Sequence, residues 1–520
     1  MKVLTNPKVG IVILLSLVLS GCSNPTPVSQ EESQTSQEES QEVDSLSGTL
    51  QVALISDVQS FDPFSRAAPQ WPIVQNIYDT LVRYTSDQVA IPGLASAWEF
   101  GPDNASVTLT IQPNAKWHSG NPVTADDIVA NFNRAMTEET GANMFPLTRP
   151  IQSVEVADGT NVLITFSSSI PTQAATDIFQ QLAMIEPDFF DRLANEASGS
   201  GPYKLESWSP GIGMTLVANE DYWGEGPFLE SIEFTIYSDV DAMVAALQGG
   251  GTVDIAMGVP AKDAGSLSEY DVTLGAPGSL VLDLRINTVV APFDNKTVRQ
   301  ALSWHAVDRE GIVSAVLFGQ SVPALTFFDA GPFADKNLGT SKEFNLDKAR
   351  AMLDAEGIDL TGVAVEMLVD TRFSDVTAIA EILKSDWEKL GLVVTLVPGE
   401  DVFDRYLAGD FTVLPSITAS GNRYPLAGFA GSITRPENNP AFGPGSTPQE
   451  WKEIADKLQR AQSPAEEVAA AEHLLDYFID QAWALAIADR SSVVAQSKRV
   501  VGFEFTIDTM PVFQRVKLAD

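Results

Sequence analysis

Hydrophobic residues recur along this chain at two spacings, one typical of strands and one typical of helices. Apolar and polar positions alternate in residues 49–54 and 108–111, which predicts strands there. Apolar residues at helical spacing in 74–84, 240–247 and 376–390 predict amphipathic helices. Because strands and helices follow one another without strict alternation, we expect an α/β fold with sheets flanked by helices.

Several helix ends can also be predicted from the pattern. Thr124 followed by Asp127 predicts the start of another helix, since a threonine hydroxyl and a carboxylate three residues on form a reciprocal capping box. The glycines at 249–251 end the helix at 240–247, and Gly391 ends the helix at 376–390. Residues 392–397 then predict a strand.

The first 47 residues differ from the rest of the chain. Lys2 and Lys8 accompany an apolar run at 11–19, a pattern typical of an export signal. This run is shorter than the roughly 20 residues of a membrane-spanning helix. Residues 23–47 are rich in Ser, Gln and Glu, which predicts a disordered tether. Cys22 is the single cysteine, so no internal disulfide is expected.

Length, charge and histidine count limit the possible functions. The chain has 520 residues, and the part after the tether is too long for one core, so we expect at least two lobes. A formal net charge of -37 argues against nucleic acid as a partner. Neither a nucleophile elbow, a zinc-protease motif nor a phosphate loop occurs, and the three histidines supply few general bases. We therefore expect no catalytic residue, no cofactor and no metal site.

Two sets of residues resemble known families. Leu19-Ser20-Gly21-Cys22 resembles the lipobox of bacterial lipoproteins, which implies that Cys22 carries a lipid and becomes the first residue after cleavage. The alternative is an ordinary export signal with an incidental cysteine. Seven segments in order resemble the family 5 extracytoplasmic solute-binding proteins of ABC importers, which take oligopeptides, dipeptides and nickel chelates. These segments lie at 61–63 with 78–81, 92–98, 113–134, 199–205, 219–223, 247–255 and 292–309.

The second resemblance implies a two-lobed clamp of the periplasmic-binding-protein type, type II-like with an extra subdomain and two hinge strands. Such a clamp closes on a solute and delivers it to a permease, while a separate subunit hydrolyses ATP. We expect a lipid-anchored extracytoplasmic monomer that is not an enzyme. A receptor function on the same fold is an alternative, whereas an exported hydrolase is disfavoured. The expected parts are a signal peptide at 1–21, a lipidated tether at 22–47, lobe I at 48–84, 201–285 and 489–520, its inserted subdomain at 85–200, and lobe II at 286–488.

The resemblance also implies solute-binding residues. Arg372 lies where similar proteins hold a ligand carboxylate, and a guanidinium binds two oxygens at once. The alternative is that Arg372 pairs with Asp370 or Asp375 at the surface. Peptide-binding members usually carry an acidic residue some 40 positions later, but residues 411–436 contain none. A buried peptide ammonium would lack a partner there, whereas Arg423 would favour an anion, and the neighbouring Tyr424 is a further candidate for ligand binding. The solute can therefore be a peptide, a non-peptide anion or a metal chelate. The alternative for Arg423 is an exposed loop without a role in binding.

One segment has an irregular length. Arg299 and Asp308 are separated by one residue more than is usual in the family, which predicts a π-bulge. Since such bulges gather at functional sites, our hypothesis is that Trp304 or His305 turns toward the cleft. The alternative is that both aromatic rings pack in the core. For His118, which lies in a family motif beside glycine, we expect a structural role.

Overall fold

Three sheets of seven, five and four strands organise this computed structural model. Its described residues are 46–64, 71–85, 89–141, 144–250, 252–274, 280–325, 342–419, 448–461, 463–490, 493–506 and 511–519. None of the helices in these ranges has an apolar stretch long enough to cross a membrane.

The first sheet has seven strands, five of which run in the same direction, while Gly213–Ala218 and Val493–Ser497 run in the opposite direction. Alternating residues bury both of its faces: Leu50 and Val52 lie in one core cluster, and Ala53 lies in another. In spatial order the strands are Tyr270–Leu274, Val493–Ser497, Ile255–Met257, Thr49–Leu54, Ser231–Ile236, Gly213–Ala218 and Tyr203–Ser209.

A four-stranded antiparallel sheet is inserted between the first two strands that the chain contributes to this seven-stranded sheet. Its buried residues, such as Leu109 and Ile164, belong to the same core cluster as Leu50. In spatial order the strands are Ala95–Phe100, Ser106–Ile111, Asn161–Phe166 and Ile151–Asp158.

The five-stranded sheet, called the second sheet below, has separate cores. Val281 and Leu368 face one cluster of buried residues, and Leu282 and Met367 face another. In spatial order its strands are Val393–Gly399, Ala364–Asp370, Val413–Ala419, Leu280–Ile286 and Ala484–Asp489. This sheet begins at Leu280, six residues before the expected start of lobe II, and the lobe boundaries stay a prediction.

Short strands and helices complete the described structure. The two-stranded pairs are Val82–Tyr84 with Ala90–Pro92, Val500–Val501 with Lys517–Leu518, and Glu504–Phe505 with Pro511–Val512. The helices include Trp71–Ile77, Ala125–Ala135, Glu138–Gly141, Phe145–Thr148, Thr172–Gln181, Val240–Gln248, Lys296–Gln300, the π-helix Ala301–His305, Arg309–Ala315, Leu346–Ala355, Ser374–Glu388, Val402–Leu407, Gln449–Gln459 and Pro464–Gln481.

Most of the predicted elements are confirmed. Thr124 and Asp127 form the reciprocal capping box at the start of Ala125–Ala135. The helices Val240–Gln248 and Ser374–Glu388 lie where the periodicity places them, and the strand Val393–Gly399 follows the second. The extra residue between Arg299 and Asp308 is absorbed in the π-helix Ala301–His305, as predicted.

The helix predicted over 74–84 is wrong in its second half. The helix ends at Ile77, whose carbonyl accepts a hydrogen bond of 2.9 Å from the amide of Gly201. After this the chain extends, and Val82–Tyr84 pairs as a strand with Ala90–Pro92. Tyr78 and Leu81 are buried, as their apolar character suggests, but they belong to an extended segment. Their spacing matches that of a helix by coincidence.

Candidate functional site

The chain crosses from one end of the first sheet to one end of the second, and we call these two sets of strand ends the cleft edges, after the cleft expected between the lobes. The parallel strands of the first sheet end at this edge with Leu54, Ile236 and Leu274, beside the start of Val493–Ser497. In the second sheet, Leu280 pairs with Ala419, and Val281 pairs with Asp489. The parallel strands Ala364–Asp370 and Val393–Gly399 end at the same edge.

The chain crosses between these two edges twice. One crossing leads from Leu274 to Leu280, and the other leads from Arg490 to Val493. A residue spans at most about 3.6 Å, so both edges lie within roughly 20 Å of each other where the chain crosses. In open α/β sheets, ligands bind outside the carboxyl ends of the strands. The facing edges are therefore the candidate site.

Arg372 lies on the second-sheet edge of this cleft, between the strand ending at Asp370 and the helix beginning at Ser374. Its side chain is half exposed and binds both carboxylate oxygens of Asp370, with Nε 2.9 Å from Oδ1 and Nη2 2.5 Å from Oδ2. These hydrogen bonds from Arg372 lower the pKa of the Asp370 carboxyl. Asp370 is thus the partner that the alternative interpretation of Arg372 names.

A second guanidinium lies close to Arg372. Arg490 follows the last strand of the second sheet, and its Nε is 2.7 Å from Oδ2 of Asp375. The guanidinium carbons of Arg372 and Arg490 lie 5.7 and 5.6 Å from the ring centroid of Phe373. The amide of Arg490 also donates to the carbonyl of Leu280 at 2.7 Å. This edge therefore brings together two arginines, two aspartates and one aromatic ring, directly beside the crossings.

The first-sheet edge of the cleft has an exposed apolar side chain next to its central strand. Ile55 directly follows the strand Thr49–Leu54 and is 42 % exposed. Its side chain lies close to Gly258, which follows the neighbouring strand with a φ of +78°. Farther along this turn, Asp57 accepts hydrogen bonds from the amide of Gly211 and the indole of Trp208. The first-sheet edge of the cleft thus carries both an exposed apolar side chain and a carboxylate.

Three of the predicted residues lie outside the described residues: Arg423, Tyr424 and the lipidation residue Cys22. The strand Val413–Ala419 ends on the second-sheet edge of the cleft, four residues before Arg423 in the chain. Their roles stay predictions.

Trp304 and His305 lie in the π-helix, at some distance along the chain from the cleft edges. His305 is buried, with Nδ1 2.8 Å from the carbonyl of Glu343. Trp304 is half buried against a core cluster of the second sheet, and the ammonium of Lys342 lies 5.0 Å from its ring centroid. Both contacts are those of packing aromatics, and a role of either residue toward a solute stays a prediction.

A buried arginine supports the π-helix. Arg309 donates Nη2 to the carbonyl of Ser303 at 3.0 Å, and Nε to the carbonyls of Ala324 and Ala486 at 2.9 Å each. Burial lowers the pKa of Arg309 to about 9. Arg309 therefore ties the irregular helix turn to the strand Ala484–Asp489 of the second sheet.

The motifs that carried the family resemblance meet around Asp79 in the first core. Oδ2 of Asp79 accepts from the indole of Trp223 at 2.8 Å and from the hydroxyl of Ser200 at 3.1 Å. Oδ1 of this buried carboxylate accepts from Arg83 and Tyr222. These residues come from three of the segments that resemble the family, or lie next to them. The motifs therefore make structural contacts that stabilise the first lobe.

His118 joins two further motifs. Its Nε2 lies 3.0 Å from the carbonyl of Gly201, and the amide of Gly199 lies 3.4 Å from its Nδ1. Burial lowers the pKa of His118 to about 4. The structural role expected for His118 fits these contacts.

The sequence did not indicate Arg490 as a site residue or Asp375 as its partner. It also did not indicate that Arg372 and Arg490 contact the same ring, that of Phe373. The available signal was the position of Arg490, two residues after the predicted end of lobe II at 488. Charge alone gave no reason to select it among 32 lysines and arginines.

The described residues were also compared with the side-chain groupings that bind metal ions. Within the described ranges, no three His, Cys, Asp or Glu side chains are grouped as a metal ion needs.

Comparison with known proteins gives a consistent result. The family model for "Bacterial extracellular solute-binding proteins, family 5 Middle" matches residues 89–432. The nickel-binding periplasmic protein of Escherichia coli is 26% identical over 370 residues, covering 65% of this chain and 69% of its own. The glutathione-binding protein GsiB of Pectobacterium atrosepticum is 22% identical over 493 residues, covering 90% and 94%.

A solved structure shows the same fold. HbpA2 from Haemophilus parasuis superposes with a TM-score of 0.78 at 23% identity, covering 91% of this chain and 100% of that chain. The expected two-lobed α/β clamp is thereby confirmed. Because the relatives are solute-binding proteins of transport systems, the expectation that the chain is not an enzyme is confirmed as well.

Proposed function

We infer the function from one premise: the chain belongs to family 5 of the bacterial extracellular solute-binding proteins, which serve ABC importers. On this basis we propose that it captures a small organic solute carrying a carboxylate between the two sheet edges. The observation that supports this proposal is the position of Arg372 and Arg490 on one ring, beside both crossings. A solute carboxylate can replace Asp370 or Asp375 as the partner of a guanidinium that is already oriented.

The solute class follows from the same charges. A carboxylate-bearing peptide and a metal chelate both satisfy a guanidinium, and the named ligands of the relatives include glutathione and nickel. With no acidic residue from 411 to 436, the chain has less to offer a free ammonium at that place. We therefore place anionic solutes, glutathione-like peptides among them, ahead of peptides recognised by their amino end.

Attachment to a membrane completes the proposal. Cys22 would carry the lipid, and residues 23–47 would connect it to the clamp as a flexible tether. The tether would end at Ser47, whose amide already donates to the carbonyl of Phe228 at 2.9 Å. A monomeric clamp held this way stays within reach of its permease. A receptor built on the same fold is the second candidate, and the presence of permease and ATPase genes beside this one separates the two.

The proposal is tested by identifying the solute. Native mass spectrometry of the full chain, purified without refolding, should show a co-purified mass that disappears on mild unfolding. Glutathione and Ni²⁺ chelates are the first compounds to titrate, with tryptophan fluorescence as the readout. A mixture of short peptides without a common acidic group would contradict the preference for anions.

Arg372 is then tested with a matched control. Arg372→Ala should weaken binding of the identified solute at least tenfold, on the order of the energy of one charge-assisted contact. Arg350→Ala removes another exposed arginine of the same lobe that pairs with an aspartate, and it should leave affinity unchanged. Equal affinity in the Arg372→Ala variant and the unmodified protein would exclude an anchoring role for Arg372.

A further inference from the structure

One contact joins the two lobes away from the crossings. The helix Thr172–Gln181 packs through Ala175 and Phe179 in the core cluster of the first lobe that contains Leu50. The helix Pro464–Gln481 packs against the second sheet through Ala471 and Leu474. Between them, Oε1 of Glu467 accepts hydrogen bonds from the amide and the hydroxyl of Thr172, at 2.8 and 2.9 Å.

Glu467 takes the place of a missing helix cap. The residue before the helix is Pro171, whose side chain cannot accept a hydrogen bond, and no cap bond is made from it. The first amides of a helix have no partner within the helix and favour a negative charge. The carboxylate of Glu467, which is only 3 % exposed, supplies that charge from the opposite lobe.

The contact depends on the arrangement of the lobes. When the lobes separate, the helix loses its acceptor, and Glu467 exchanges protein donors for water. Burial raises the pKa of Glu467, and hydrogen bonds from Thr172 and from the Gln173 amide oppose this rise. The carboxylate is thus held in a site that exists only while the two helices touch.

We propose that Glu467 and the first turn of the helix Thr172–Gln181 form a latch that favours lobe closure in the absence of solute. The proposal rests on the proposed clamp function and adds a residue that contacts no solute. A helix cap changes an equilibrium by about five- to tenfold, so the latch biases closure and leaves opening frequent. Solute contacts in the cleft then add to this bias.

The test measures the distance between the lobes without any solute. Nitroxide labels are placed at Thr160→Cys, in a turn of the inserted sheet, and at Glu356→Cys in the second lobe. Both positions are exposed, and the full chain carries Cys22→Ser so that no other thiol is labelled. Double electron–electron resonance then gives the populations of closed and open forms. Glu467→Ala should raise the ratio of open to closed molecules on the order of five- to tenfold.

Two further variants make the result specific. Glu466→Ala removes the neighbouring, exposed carboxylate of the same helix and should leave the distances unchanged. Thr172→Pro removes both donors of Thr172 at the first position of its helix, where proline is well tolerated, and should open the lobes as Glu467→Ala does. Circular dichroism confirms that each variant is folded.

Unchanged distances in both Glu467→Ala and Thr172→Pro would overturn the latch, as would an equal effect of Glu466→Ala. This outcome is independent of the proposed function, because the measurement uses no solute. Conversely, failure to recover any solute would contradict the proposed function and leave the measured lobe distances as they are.

Discussion

A neutral histidine suits the position of His118, because one of its ring nitrogens donates and the other accepts. The carbonyl of Gly201 can only accept, so Nε2 carries the hydrogen, and the amide of Gly199 donates to Nδ1. Protonation of Nδ1 would place a second hydrogen against the Gly199 amide. This contact and burial both disfavour the charged form, in agreement with a pKa of about 4.

The His118 contacts predict a specific pH dependence of stability. An unfolded histidine binds a proton near pH 6.5, whereas folded His118 does so only near pH 4, so the unfolded state holds more protons between these values. The free energy of unfolding should therefore fall as the pH is lowered from 6.5 to 4, by about 2 kcal/mol for this half-buried ring. Urea unfolding at several pH values measures the loss.

Two histidine variants check the assignment. His118→Gln cannot titrate and should lose about 2 kcal/mol less than the unmodified protein over this pH interval. His473→Gln changes an exposed histidine and should keep the pH dependence of the unmodified protein. If His118→Gln and the unmodified protein lose equal free energy of unfolding between pH 6.5 and 4, the pH dependence does not come from His118.

At the scale of elements, buried polar side chains decide where helices and strands end. Asp79 follows the helix Trp71–Ile77 and binds groups from the loop at Ser200 and from Trp223. The chain cannot continue as a helix there and also place Asp79 among these donors. Sequence periodicity did not reveal this, because the donors lie more than 100 residues away in the chain.

Asp79→Asn is expected to be strongly destabilising. It leaves the guanidinium of Arg83, which is 29 % exposed, without its negative partner, and the loss of such a partly buried pair costs about 2–3 kcal/mol. Asp221→Asn, which breaks the exposed pair with Lys116, should leave the free energy of unfolding nearly unchanged. Urea unfolding of both variants at pH 7 compares them, and similar losses would contradict a special role for Asp79.

Local signals in the sequence predicted several elements well and the site only partly. The capping box at Thr124, the helix Ser374–Glu388 and the π-helix each depend on neighbouring residues, so spacing sufficed. Arg372 was placed at the cleft edge by resemblance, but its pairing with Asp370 and its closeness to Arg490 depend on side-chain orientation. Glu467 gave no signal, because its partner lies 295 residues away.

At the scale of the whole molecule, the two large lobes have separate cores. One core cluster contains Ile232 and the inserted sheet, and Leu474 lies in a cluster of the second sheet. Among the described residues, the two chain crossings and contacts such as that of Glu467 with Thr172 join them. Domains with their own cores can unfold independently.

Scanning calorimetry should therefore show two transitions. Leu474→Ala removes a fully buried side chain at a cost of about 2–5 kcal/mol, and it should lower one transition by roughly 5–10 °C. Ile232→Ala, the matched change in the first core, should lower the other. A single transition that moves by the same amount in both variants would contradict independent unfolding.

The two crossings also change the thermodynamics of capture. Because two covalent connections hold the lobes together, the second lobe meets a solute already on the first lobe as an intramolecular partner. The effective concentration of the second lobe is then in the millimolar range or above. Its contacts with the solute need not offset the loss of translational entropy that binding a separate molecule would involve. A few modest contacts on each edge can thus add up to tight binding, and the solute is released in stages when the lobes part.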